Sequence, residues 1–331
     1  MSALIIKQGI LDTIQDHGRY GFQHNGINPG GAMDNIAASI ANILVGNNPT
    51  APVFELHFPA SSFKFTKASL IALSGGDFTA TINDENIPLN TTILVAKDAV
   101  LKFIKPVKGT RCYLAISGGW KANNWLNSYS THLKIALGGY EGRALKKGDI
   151  VESIFTVTTI KAELLNASYK SLGTTIDTSS FYNSTNKIRC TIGAEINWLT
   201  EQAKLDLFTS AYFISNKSDR MGFQMEGPVL PTVKAGSLLS SAVTKGTIQL
   251  LPSGKLIVLM ADHQTTGGYP KVAHVITADI PTLAQKAVNE NTGFKLIDQQ
   301  EAEDLLVDQQ ERLNNIELHV HQHLKPFMNN L

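Results

Sequence analysis

Charge of one sign is what this 331-residue chain most plainly lacks: 29 Lys and Arg stand against 28 Asp and Glu, a formal net charge of +1. With no basic excess to neutralise phosphates, a nucleic-acid partner is not expected. Charge of either sign is scarce as well, at 17% of residues against a usual value of about 25%. There are two cysteines, Cys112 and Cys190, too few and too isolated for a disulfide framework or a Cys-rich zinc site. No metal site is expected. The longest apolar run, Leu256 to Ala261, is far short of the ~18 residues a membrane span needs. The start, Met1-Ser2-Ala3-Leu4-Ile5-Ile6-Lys7, lacks the basic-then-apolar order of a secretory signal. A soluble, cytoplasmic protein with no membrane partner is the expectation.

Catalytic signatures are missing too. No G-x-x-x-x-G-K loop occurs; Gly246 through Gly254-Lys255-Leu256 has the wrong glycine spacing and no Ser or Thr to meet magnesium. There is no G-x-S-x-G and no H-E-x-x-H. Nor is there a Met-Lys-Met, so covalent biotin on this chain is not expected. An independent ATPase is not visible.

What is present is a hydrophobic content of 43%, which excludes disorder, and a length that suggests two domains of roughly 150 residues each. Short β segments dominate. Leu4-Ile5-Ile6, Val53 to Phe58, Ser62 to Thr66, Ser69 to Leu73, Thr92 to Val95, Leu101 to Ile104 and Arg111 to Ile116 recur between turn-rich breaks. That spacing argues for a barrel or sandwich. Helices are few. Asp34 to Val45 has a capping Asp34, a face of Ile36, Ile40, Ile43 and Leu44, and Gly46 to end it. Others are expected over Glu195 to Phe208, in a short piece near Pro281, and from Glu301 to about Leu318. Residues 166–187 are rich in Ser, Thr and Asn and read as a linker, and strand runs resume after it. The expected organisation is a β-barrel domain over 1–165, a linker over 166–187, a second β-barrel domain over 188–300 and a helical tail over 301–331.

Three polar, glycine-marked stretches are candidate sites. The first runs from Gln15-Asp16-His17-Gly18-Arg19 to Gly30-Gly31-Ala32-Met33-Asp34. Its glycines permit positive φ and close backbone approach, while Asp16 and Arg19 suit a polar or anionic ligand. A turn-rich lead-in to the first helix, with Asp16 and Arg19 as a structural pair, is the reading the chain alone favours. The second, Ser218-Asp219-Arg220-Met221-Gly222 with Glu226-Gly227-Pro228, suggests a partly buried charge pair serving a site or shaping a turn. The third, Asp262-His263-Gln264-Thr265-Thr266-Gly267-Gly268-Tyr269-Pro270, follows the most apolar strand. Polar groups at the end of a buried strand are how a rigid scaffold presents a site; a bend with hydroxyls satisfying loop backbone is the alternative. Gly138-Gly139-Tyr140-Glu141-Gly142-Arg143 adds a turn in which Arg143 is a plausible anion contact. His319, His321 and His323 read as a solvated tail.

Taken in order, these stretches resemble one family. Gln15 to Arg19, Gly30 to Asp34 and Ala41-Asn42-Ile43-Leu44-Val45-Gly46-Asn47 are similar to the opening of the allophanate hydrolase subunit 2 family. It is also called the biotin-dependent carboxyltransferase, KipA or PxpC family. Gly138-Gly139, Gly142-Arg143-Ala144-Leu145 and Gly148-Asp149 match its middle. Ser218 to Gly222, Glu226-Gly227-Pro228, Gly246-Thr247-Ile248-Gln249 and Thr265 to Pro270 match its second half. The resemblance covers roughly residues 5–300. One departure is Ser128-Tyr129-Ser130-Thr131, where the family pattern reads Ser-Arg-Ser-Thr; Tyr129 cannot supply an arginine's charge or fork.

The resemblance implies a mainly β fold of two cyclophilin-like β-barrel domains with a few short helices. It also implies an ATP-dependent amidohydrolase, the PxpC-type component of a 5-oxoprolinase that opens the lactam of 5-oxo-L-proline to L-glutamate. Such a hydrolase works only with a KipI/PxpB-like and a PxpA-like partner, with ATP shared with one of those partners. The alternatives are a non-catalytic KipI antagonist and a carboxyltransferase component of a urea carboxylase system. For the hydrolase, Asp16, Asp219 and Asp262 are the acid–base candidates. Arg19, Arg143, Arg220, Gln264, Thr266, Gly267, Gly268 and Tyr269 are the substrate-binding ones.

Overall fold

Alternation of apolar and polar residues in short runs produces strands, and strands are the bulk of this chain. The computed structural model describes residues 2–154, 167–234, 236 and 238–328. The chain divides into two compact units. One comprises Met1–Gly18, Asp34–Thr178 and Glu311–Leu331; the other comprises Arg19–Met33 and Ser179–Gln310. The domain edge expected at 165–166 lies outside the described residues.

In the first unit one sheet runs in spatial order Ile150–Glu152, Ser2–Lys7, Ser62–Phe65, Val100–Phe103, Ala80–Ile82, Glu85–Asn86. The other runs Tyr169–Thr175, Thr91–Val95, Ser69–Asp77, Lys108–Ile116, Val53–His57, Thr13–Gln15. Both sheets contribute to a single core containing Ile5, Phe63 and Leu101 from one and Phe54, Leu73 and Leu114 from the other. Trp120 stacks on Phe54 with ring centroids 4.3 Å apart, and its indole N–H donates to the Leu114 carbonyl at 3.0 Å. The ring thus buries its area without orphaning its donor.

Helix α1 (Asn35–Leu44) packs on this unit. Asp34 caps it, accepting from Ala37 N at 2.9 Å, and Gly46 follows it at φ +73°. The Asp34 N–H donates to the Tyr113 hydroxyl, which donates to Glu55 Oε2 at 2.8 Å, all three groups being buried. Burial pushes the Tyr113 phenol well above its ordinary value, so it stays a proton donor to Glu55.

The second unit is a closed seven-stranded barrel. Its order is Lys187–Ile192, Lys271–Val275, Thr247–Leu250, Leu256–Leu259, Gly222–Glu226, Tyr212–Ile214 and Asn291–Leu296. Closure comes from a parallel pairing of the first with the last, Ile188 opposite Phe294. Ile188, Phe223, Ile248, Val258 and Phe294 fill its core together with Met33.

The helix expected over Glu195 to Phe208 is broken in two. A 3-10 turn at Ile196–Trp198 ends in extended Leu199, which bridges to Thr232, and Thr200 then caps helix α2 (Glu201–Thr209). Helix α3 (Ile280–Ala284) has Pro281 in its first turn. The helix expected from Glu301 to about Leu318 is helix α4 (Gln299–Met328), thirty residues and so about 45 Å long. Asp298 caps it through Glu301 N at 2.8 Å. Its buried stripe continues from Leu313 through Val320 and Leu324, past the point where the solvated histidines masked the periodicity. No helix among the described residues is long and apolar enough to cross a membrane.

Candidate functional site

The glycine-rich segment Arg19–Met33 belongs to the barrel unit and is fastened to it at each step. Arg19 N donates to Pro29 O at 2.7 Å, closing the loop on itself. Asn28 Nδ2 donates to the Asp262 carbonyl at 3.0 Å. Arg220 Nη2 donates to Gly31 O at 2.6 Å, and Lys245 Nζ to Ala32 O and Met33 O at 3.1 and 2.9 Å. Buried Met33 then anchors the end in the barrel core.

Arg220 and Asp262 form the fork pair suggested by the second motif, with Nε to Oδ2 at 2.9 Å and Nη2 to Oδ1 at 3.1 Å. A backbone bond from Asp262 N to Arg220 O at 2.8 Å locks their loops together. Gly30 has φ +64°, and a Cβ there would lie 3.0 Å from Arg19 Nη1 and 3.7 Å from Asp262 Oδ1. A glycine is required both by conformation and by the closeness of these groups. Arg19, 1% exposed, Arg220, Lys245 and Asp262 therefore converge on residues 30–33. This is a cation-rich cradle, with Arg19 and Arg220 buried and Lys245 and Asp262 half-buried, and its chemistry suits a carboxylate or phosphoryl group.

Beside it stands His263, buried, a residue of the third motif to which the sequence assigns no role. Its Nδ1 lies 2.6 Å from Gln264 O. A carbonyl only accepts, so Nδ1 carries the hydrogen and the neutral ring keeps a lone pair on Nε2. Burial, reinforced by the Lys245 charge, holds its pKa below the ordinary histidine value. A neutral imidazole beside a carboxylate is a competent proton acceptor.

Further along the loop, Gln264 Nε2 reaches the buried Gln249 Oε1 at 3.5 Å. A Cβ on Gly267 would strike Gln249 Nε2 at 2.5 Å. Thr266 and Gly267 pair with Ser241 and Ala242. Gly268 and Tyr269 face a separate cavity of about 340 Å³. Asp219 sits on the exposed side of its turn, where Oδ1 accepts from Met221 N and Gly222 N at 2.7 and 3.3 Å. Its carboxylate shapes the turn that aims Arg220.

Asp16 lies in the other unit, 5% exposed. Its Oδ1 accepts from Ser128 Oγ, Ser130 Oγ and Gly18 N at 2.6, 2.5 and 2.8 Å, and its Oδ2 from Tyr129 N at 2.6 Å. The departure at Tyr129 leaves this clamp whole, because position 129 contributes its backbone N–H. Arg143, in the same unit, is held by Asp149 at 2.7 and 3.0 Å and by Glu141 at 2.6 Å, and lies over the Tyr140 ring. Of the expected site residues, then, Arg19, Arg220 and Asp262 are brought together. Gln264, Thr266 and Gly267 follow on the same loop, while Asp16 and Arg143 belong to separate networks. Reading the sequence alone passes over Asn28, Lys245, Gln249 and His263. Lys245 precedes and Gln249 ends the Gly246-Thr247-Ile248-Gln249 motif, which is the signal that could have found them.

The model of the carboxyltransferase domain, subdomains A and B, matches residues 25–296. The chain belongs to this family. This carboxyltransferase-family chain is 33% identical over 318 residues to the 5-oxoprolinase C subunit of Escherichia coli, covering 96% of this chain and 98% of that one. It is 32% identical over 290 residues to the Haemophilus influenzae protein of the same name, covering 88% and 89%. Among solved structures, the urea carboxylase of Kluyveromyces lactis superposes with a TM-score of 0.83 at 26% identity over 95% of this chain. The match spans only 29% of that much longer protein.

Proposed function

We propose that this chain is the PxpC-type component of an ATP-dependent 5-oxoprolinase, opening the lactam of 5-oxo-L-proline to L-glutamate with a KipI/PxpB-like and a PxpA-like chain. The end-to-end similarity to two 5-oxoprolinase C subunits carries the reading. ATP supplies the activation by phosphorylating the amide oxygen, with ADP leaving; water then adds to the carbon, the C–N bond breaks with nitrogen taking a proton, and a second water hydrolyses the resulting acyl phosphate to carboxylate and inorganic phosphate. The cradle around Gly30–Met33 fits the anionic part of that chemistry. Arg19 and Arg220 would steady a phosphoryl or carboxylate group there, and Lys245 and Asn28 hold the backbone that shapes it. His263 Nε2 would take the proton of the attacking water, with Asp262 fixing Arg220. Gln264 and Thr266 would orient the lactam. Contacts to the adenine and ribose fall to the partner chain.

The likeness to urea carboxylase supports a second reading, transfer of a carboxyl group within a biotin-dependent system. The test mixes the three chains with ATP and 5-oxo-L-proline, measures glutamate, and omits each chain in turn. Glutamate that requires this chain is expected. A stable complex with no glutamate overturns the proposal and leaves a carboxyltransferase or a binding regulator of the KipI-like partner.

A further inference from the structure

The cavity that takes Gly268 and Tyr269 away from the Arg220–Asp262 cradle is a site of its own. Its volume is about 340 Å³, at the lower end of small-molecule pockets. Trp198, Pro231, Leu251, Pro252 and Tyr269 give it flat apolar walls, and Ser253 and Lys234 stand among them.

The frame is fixed by backbone bonds. Val233 N donates to Trp198 O at 2.8 Å, Leu230 N to Gly254 O at 2.9 Å and Leu250 N to Pro270 O at 2.9 Å. Gly254, at φ +77°, closes the turn against Val229, where a Cβ would come within 2.5 Å. A pocket built on paired backbone is preorganised, so binding there orders little.

Lys234 decides what the pocket takes. Its Nζ lies 5.8 Å from the Trp198 ring centroid, and among the described residues no carboxylate stands within ion-pair distance of it. An unpaired cation held over an indole face, beside apolar walls, is complementary to an anion carrying a flat apolar body. We infer that this cavity binds a small organic acid, its ring against Trp198 and the prolines and its carboxylate on Lys234. The inference is independent of the proposed 5-oxoprolinase activity. Exposed Val229, Val233 and Leu239 nearby make an extended acidic peptide the competing occupant.

Calorimetry on the full chain with 4-phenylbutyrate and its uncharged analogue 4-phenylbutan-1-ol tests it. The acid is expected to bind saturably at one per chain, and the alcohol about tenfold more weakly, the size of one charge-assisted contact. Lys234→Met should abolish that difference. Ser253→Trp, which fills the cavity from an exposed turn, should abolish both. Equal binding of acid and alcohol, no saturable binding up to the acid's solubility, or acid binding untouched by Lys234→Met overturns the inference. So does binding of a capped hexapeptide of alternating glutamate and phenylalanine when the acid does not bind.

Discussion

Arg220 grips Asp262 through Nε and Nη2, and the same Nη2 also donates to the Gly31 carbonyl. One guanidinium thus ties two loops of the barrel to the glycine-rich segment, which no lysine can do from a single ammonium. Arg220→Ala leaves Asp262 without its counter-charge and is expected to lower unfolding stability by about 3 kcal/mol. Arg220→Lys should recover much of that in urea denaturation while glutamate formation remains lost. Equal activity of the lysine variant and wild type would show that the fork is dispensable.

Asp16 is a clamp in the first unit. All four hydrogen bonds to its carboxylate are donated to it, so Asp16→Asn turns an amide N–H against hydroxyl and backbone donors. A loss of about 3 kcal/mol is expected. Tyr129→Arg, restoring the family residue, should leave stability within about 0.5 kcal/mol, because the side chain takes no part in the clamp. Chemical denaturation of both variants checks this.

Buried Asp12 accepts from His57 N at 2.9 Å and Ser61 N at 2.6 Å. Burial outweighs these bonds and pushes its pKa up to about 6. A raised carboxyl pKa means that the folded state favours the protonated form. The stability it contributes is full below about pH 4 and is lost as pH rises through 6, about 3 kcal/mol in all. His263 and His274, held low by burial, act in the opposite sense, losing stability as pH falls through the usual histidine range. The difference between wild type and Asp12→Asn across pH 4–7 isolates the aspartate. A flat difference would contradict the assignment.

Cys112 and Cys190 are both buried, and burial pushes the Cys190 thiol up to about 12 and Cys112 higher still. Thiolate is the reactive form. Native protein should therefore give no rapid reaction with Ellman's reagent, and two thiols should appear on unfolding. Fast labelling of either would place it nearer the surface.

Much of this is legible in the sequence, for physical reasons that differ by residue. Asp34, Ile36, Ile40 and Gly46 predict α1 because cap, stripe and terminator are all local. Strand runs predict a β fold for the same reason. Closure of the barrel by parallel pairing of Lys187–Ile192 with Asn291–Leu296 is a contact across a hundred residues and leaves no local mark. Arg220 and Asp262 each stand out in their motifs, but their pairing, forty-two positions apart, needs the fold. His263 is hidden because its neighbours are polar and only the barrel makes it buried. Leu199 breaks a helix that Glu195 to Phe208 would otherwise form, since its extended backbone answers Thr232 rather than its own sequence.

The most direct test of the central claim is the rate of ATP-dependent glutamate formation by the three-chain complex carrying Arg19→Met. The account predicts a loss of at least about a hundredfold, the scale of removing one preorganised charge from an activated acyl centre, with complex assembly intact by gel filtration. Glutamate formation at the wild-type rate would contradict it and move the chemistry away from the cradle at Gly30.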